Sequence, residues 1–202
     1  LLVSVAPETG EILWEFASSA DHGRPAVQPQ FVGQDTLLIS FAPDSLIRLK
    51  VAHDAGKWSA TETWVSRDIK PDFSDYLVHD GYIYGFDGTI FCCVDLATGD
   101  RQWKRGRYGA GQALLLPEMS AILFCTEQGE LVLLECNPKQ HTELGRLQAI
   151  EGKTWNHLAA SRGRVYLRNA EQIACYQLPV IEQGGQDEPA PPATANPVSI
   201  GN

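Results

Sequence analysis

Arg107 and Lys153 are cations able to hold a carboxylate, and Trp155 offers a ring on which a ligand could stack. Asp75 and His157 are groups that could move a proton. Arg24, Tyr108, Gln112 and Asn156 add hydrogen-bonding and aromatic capacity in the same stretches of chain. Cys92-Cys93 is a pair of adjacent cysteines, a candidate of another kind. It lies inside Ile90-Phe91-Cys92-Cys93-Val94, a strand-like run in which successive side chains point to opposite faces, so two separate buried thiols are expected. Cys125, Cys136 and Cys175 also fall in apolar runs without metal-ligand spacing and read as small buried hydrophobes. Gly106-Arg107-Tyr108-Gly109-Ala110-Gly111 has the composition of a nucleotide loop, yet no helix follows it to turn an N-terminus toward phosphate. No Gly-x-Ser-x-Gly elbow and no His-Glu-x-x-His pattern occurs.

The elements that must position these groups come from a repeat. Glu8-Thr9-Gly10-Glu11-Ile12-Leu13-Trp14-Glu15 returns 89 residues later as Ala97-Thr98-Gly99-Asp100-Arg101-Gln102-Trp103-Lys104, with Trp58 and Trp64 in the interval. Half that spacing, about 44 residues, is the period of a four-stranded propeller blade. The expected architecture is all-β: a β-propeller of four-stranded antiparallel blades, present as a partial ring. The units are a partial blade at 1–17, blades at about 25–65, 73–105 and 111–150, and a closing blade at 155–179 that lacks a fourth strand. Asp80-Gly81, Asp87-Gly88 and Gln128-Gly129 mark hairpins, and 53–57 lengthens the last hairpin of the second unit. The tail, 180–202, holds Gly184-Gly185 and Pro189-Ala190-Pro191-Pro192; it buries too little apolar area to offset ordering entropy and is expected to be disordered.

In such a ring the chain passes from the outer strand of one blade to the inner strand of the next on one shared face. The crossovers fall at 19–28, 67–75, 105–112 and 151–157, and they hold the candidate binding set: Arg24, Asp75, Arg107, Tyr108, Gln112, Lys153, Trp155, Asn156 and His157, with His22 and Lys70 beside them. The same groups would also serve to solvate the loops and cap strand ends.

Val94-Asp95-Leu96-Ala97-Thr98-Gly99-Asp100-Arg101-Gln102-Trp103 resembles the repeat of quinoprotein alcohol dehydrogenase-like propellers, the PQQ-like repeat. There an aspartate precedes a Thr-Gly turn, and a tryptophan follows the glycine by four residues. Leu2 to Trp14 repeats the phrase with Ala6 in the aspartate's place, and the resemblance covers 1–179. It implies that Trp14 and Trp103 dock neighbouring blades, with Trp64 in the equivalent place of the irregular blade. Gly10 and Gly99 would supply the positive φ of the turn, and Asp95 would cap its N–H groups. BamB-like propellers, named for the outer-membrane assembly factor, are built from the same repeat. The resemblance therefore implies a non-catalytic scaffold in the periplasm or another extracytoplasmic space of a bacterium, holding a protein or peptide on its crossover face. It also implies an alternative, part of an oxidoreductase using pyrroloquinoline quinone and calcium. Of that site only Asp75 is a loose candidate for the catalytic aspartate, and no calcium set of carboxylate plus amide is found. Trp155 and Tyr108 suggest a further alternative, a carbohydrate binder.

A net charge of −9 over 202 residues argues against nucleic acid, whose phosphates require a basic face. The local cluster Arg101, Lys104, Arg105 and Arg107 reads as a solvated outer strand. No run reaches the roughly 18 apolar residues of a membrane helix. The start inside a strand-like run, Leu1-Leu2-Val3, suggests the C-terminal portion of a longer protein whose further N-terminal blades close the ring. Alone, a half-ring would expose two blade faces and tend to aggregate.

Overall fold

The computed structural model describes residues 1–17, 26–42, 45–178 and 198–199. Most of the described residues belong to antiparallel strands. A two-stranded sheet pairs β1 (Leu2–Val5) with β2 (Ile12–Phe16). Four meanders of four strands follow. They are β3 (Gln30–Val32) to β6 (Lys57–Ser66) through β4 (Thr36–Ala42) and β5 (Ser45–Asp54), then β7 (Leu77–His79) to β10 (Arg101–Arg107) through β8 (Tyr82–Asp87) and β9 (Ile90–Asp95). The third is β11 (Gly111–Leu116) to β14 (Glu143–Gln148) through β12 (Ala121–Thr126) and β13 (Glu130–Glu135), with one 3-10 turn at Pro117–Met119. The last is β15 (Ala159–Ser161), β16 (Arg164–Arg168), β17 (Gln172–Gln177) and β18 (Val198–Ser199).

The chain divides into two compact units. The first comprises Leu1–Arg107 with Asn137–His141, and the second Tyr108–Cys136 with Thr142–Asn202. In the first, the repeated phrase is a repeated structure. Gly99 N–H donates to Asp95 O and Asp95 N–H to Asp100 O, both at 2.8 Å; Gly10 N–H to Ala6 O and Ala6 N–H to Glu11 O match them at 2.8 Å. Both glycines take positive φ, +74° and +81°. Asp95 adds what Ala6 cannot, its carboxylate accepting from the N–H groups of Ala97 (2.7 Å) and Thr98 (3.0 Å).

Tryptophans on outer strands reach beyond their own sheets. Trp64 on β6 donates from Nε1 to Leu96 O at 3.1 Å, and its ring lies so close to Gly99 that a Cβ there would meet it at 3.1 Å. Trp103 on β10 donates to Asn137 O at 2.8 Å. Trp14 is buried against Leu37, Ile39, Ile47, Leu49 and Val51. Burial of such rings contributes a few kcal/mol each, of order 25 cal/mol per Å² of apolar area. A second tie in this unit is Tyr76, fully buried, whose hydroxyl donates to Leu38 O at 2.9 Å while its carbonyl accepts from Gln30 Nε2 at 2.8 Å.

Three sequence expectations shift. The hairpin expected at Asp87-Gly88 turns instead on Gly88-Thr89, because Asp87 pairs with Ile90 and ends β8. Gly88 at φ +64° in the first central position suits a type II′ turn. The inner strand of that sheet begins at Leu77, not Phe73: Pro71 opens a turn closed by Ser74 N–H on its carbonyl. The closing sheet, expected to end at 179, gains a fourth strand from within the tail, where Val198 pairs with Ile173 and Ser199 with Gln172. The turn expected at Pro43-Asp44 lies outside the described residues.

Candidate functional site

In the second unit the crossover 149–158 is bolted to two hairpins. At one end, the N–H groups of Ala149 and Ile150 both donate to Gly129 O, at 2.9 and 3.2 Å, and Gln148 Nε2 bonds Gln128 O at 2.9 Å. Thr154, buried, donates its N–H to Glu127 O at 2.9 Å and its hydroxyl to Gly152 O at 3.1 Å. To the second hairpin, Asn169 Nδ2 donates to Glu151 O at 2.6 Å while its Oδ1 accepts from the N–H groups of Glu171 and Gln172, both at 2.9 Å. A loop held at so many backbone points presents its side chains in fixed positions.

Those side chains are Lys153 and Trp155, and the structure brings them together with a residue the sequence did not single out. Glu127 Oε1 accepts from Trp155 Nε1 at 3.0 Å and pairs with Lys153 Nζ at 3.2 Å. The Lys153 ammonium also sits 3.9 Å from the centroid of the Trp155 ring. Trp155 is 54% exposed, and an open depression of about 390 Å³ beside it is lined by Glu127, Gln128, Gly152 and Lys153. Glu127 escaped notice because it stands in a tight turn, where a lone carboxylate signals nothing in sequence.

Asn156 and His157 belong to the same loop but face elsewhere. The Asn156 amide, oriented to satisfy both its atoms, donates to Arg168 O at 3.3 Å and accepts from Arg168 Nη2 at 3.1 Å. His157 lines a small hollow of about 180 Å³ with Tyr166, Arg168 and Ile173. Gln112 is buried on β11. Tyr108 is also buried, its hydroxyl donating to Glu143 Oε2 at 2.7 Å, its ring edge-on to Phe124 and under the Arg146 guanidinium. Burial foremost, then the bond to Glu143, pushes its hydroxyl pKa above the ordinary range. With Tyr108 turned inward, the carbohydrate alternative loses one of its two stacking rings.

In the first unit, Arg107 is exposed and donates Nη1 to Thr89 Oγ1 at 2.9 Å. Asp75 is half-buried beside Tyr76, whose hydroxyl pKa is raised by burial first and by the Asp75 charge second. Arg24 lies outside the described residues. The polar centre of this unit is Asp87, only 5% exposed. It accepts from Arg101 Nη2 at 3.0 Å and Lys104 Nζ at 2.5 Å, with Lys70 Nζ at 3.8 Å. Arg101 further pairs with Asp68 Oδ1 at 2.7 Å and donates to its carbonyl. Two of the four cations read as a solvated strand are thus folded onto a buried carboxylate.

Among the described residues no three histidine, cysteine or carboxylate groups gather as a metal site. Cys92 and Cys93 are fully buried in mid-strand, paired in register with Gly85 and Lys104 and with Tyr84 and Trp103 respectively, and no disulfide joins them. Burial pushes the Cys92 thiol pKa well up, away from nucleophilic chemistry. These residues do not fit a calcium–quinone site.

Successive four-stranded antiparallel meanders, with outer-strand tryptophans docked on the backbone of neighbouring elements, are the blades of a β-propeller. Its likeness among solved structures is to BamB from Moraxella catarrhalis, a PQQ-like propeller: TM-score 0.65 at 13% identity, over 84% of this chain and 50% of that one. At that identity the likeness is one of fold, and the chain spans about half the BamB chain's length. The computationally designed protein Ika8 also matches, at TM-score 0.48 and 14% identity over 84% of this chain and 63% of that one. No known family model and no curated protein matches the sequence. Among the described residues no helix is long and apolar enough to cross a membrane.

Proposed function

We propose that this chain is part of a non-catalytic propeller scaffold that holds a protein or peptide partner on its crossover face, in an extracytoplasmic compartment. One observation carries the reading: an exposed indole, Trp155, directly after a stretch, 149–154, whose backbone is bonded to two hairpins, and beside an open depression. An aromatic anchor held rigid binds with little ordering cost, which is how interface hot spots act. The depression is shallow and open, suited to a peptide segment and not to an enclosed small substrate. Arg107 and Asp75 belong to crossovers of the first unit and are no part of this site. The likeness to BamB supports the compartment.

The test is photo-crosslinking from position 128 of the full chain, with position 58 on the long β5–β6 hairpin as control. A partner adduct from position 128 that disappears in Trp155→Ala supports the reading. Adducts that persist undiminished in Trp155→Ala would falsify it.

A further inference from the structure

We propose that Glu127 and Trp155 form a cation slot, filled in cis by Lys153, which an arginine or lysine of a basic partner segment takes over on binding. The inference rests on the crossover-face reading and names the partner's chemistry. The slot has both surfaces that recognise a guanidinium. A carboxylate, Glu127, is held by its own bond to the indole N–H at 3.0 Å, and an aromatic face stands beside it with a cation 3.9 Å from the centroid.

The occupant is loosely held. Lys153 is 62% exposed, and its two attachments, an exposed ion pair and an exposed cation–π contact, are each weak. The backbone around it is not loose: Gly152 at φ +86° and the buried Thr154 fix the loop on either side, so the side chain can swing away while the slot keeps its shape. An arriving guanidinium would do better than the ammonium it displaces. Its planar fork can meet the carboxylate bidentately and stack on the ring at once. Charge favours the same partner. Removing Lys153 from the slot leaves the Glu127 carboxylate on a chain of net charge −9, which attracts a basic segment and repels an acidic one.

Lys153 is therefore a competitor and not a ligand-binding group, which reverses the effect expected of its removal. The probe is a short uncharged Gly-Ser peptide bearing one central arginine, with the same peptide carrying neutral citrulline as control. Binding is followed on the full chain by NMR through the Trp155 indole N–H resonance, assigned by its loss in Trp155→Ala. Lys153→Ala should bind the arginine peptide roughly threefold to tenfold more tightly than the unaltered chain, the range expected from removing two weak exposed contacts. Glu127→Gln should lose the arginine peptide, and citrulline should bind neither protein. Equal or weaker binding by Lys153→Ala, equal binding of citrulline, or an indole resonance unmoved by arginine overturns the slot. The crossover-face reading fails separately, in the crosslinking from position 128.

Discussion

At φ +85°, Gly129 turns its carbonyl onto the N–H groups of Ala149 and Ile150, and a Cβ on it would run into the Ile150 carbonyl oxygen. Gly10 has a similar φ, +74°, with nothing near its missing side chain. The pair separates two costs that look alike in sequence. Gly10→Ala should lose about 1 kcal/mol, the backbone cost of positive φ. Gly129→Ala carries the same strain plus a collision with backbone that cannot move aside, and should lose about 2–4 kcal/mol. Urea unfolding of both variants checks this, and equal losses would mean that the crossover is not pinned at Gly129. Because that glycine also anchors the loop carrying Trp155, Gly129→Ala should weaken crosslinking from position 128 as well. The turn at Gln128-Gly129 was legible in the sequence as a hairpin. The close approach was not, because the partner atom lies 21 residues further on, in Ile150.

A one-residue shift decides what the β8–β9 hairpin does. Read as a turn on Asp87-Gly88, it makes Asp87 a solvated loop residue. With the turn on Gly88-Thr89, Asp87 becomes the last residue of β8, and its carboxylate lies buried among Arg101, Lys104 and Lys70. Strand existence, order and most boundaries were legible, since they rest on apolar runs punctuated by Gly, Pro and Asp. Register is set by packing, and one residue reverses the face a side chain occupies. The cations of β10 were visible as a cluster, but their counterion lay in the misread turn, so the network joining β8, β10 and the 66–70 segment could not be inferred. Asp87→Asn tests it. Removing one charge strands cations over a buried site, which costs about 3–5 kcal/mol when every partner is buried. Here the cations are about a third exposed and partly served by water, so about 2–3 kcal/mol is expected. A loss below about 0.5 kcal/mol in thermal or urea unfolding would reduce the cluster to a surface feature.

For the molecule as a whole, its buried hydroxyls and thiols make alkaline pH the informative direction. Burial raises the hydroxyls of Tyr76, Tyr108 and Tyr176, and the thiols of Cys92 and Cys125, the last pushed up to about 11 from 9. A raised pKa means that the folded chain keeps a proton the unfolded chain releases. Below pH 9 both states are protonated and the contribution to stability is complete. Above 9 for the thiols and above 10 for the tyrosines, only the unfolded state ionises. Stability then falls by about 1.4 kcal/mol per pH unit for each such group until its folded pKa is reached. Urea-derived stability should accordingly be insensitive to these five groups from pH 7 to 9 and drop steeply beyond. Tyr76→Phe separates packing from titration. At pH 7 it should be less stable by about 1 kcal/mol, because Leu38 O loses its donor. Above pH 10 its stability should decline less steeply than the parent's by about 1.4 kcal/mol per unit, since the group that ionises on unfolding is gone. The two curves should therefore converge as pH rises and cross about one unit above 10. Parallel curves would mean that Tyr76 ionises as readily folded as unfolded, and that the bond to Leu38 does not hold it in the core.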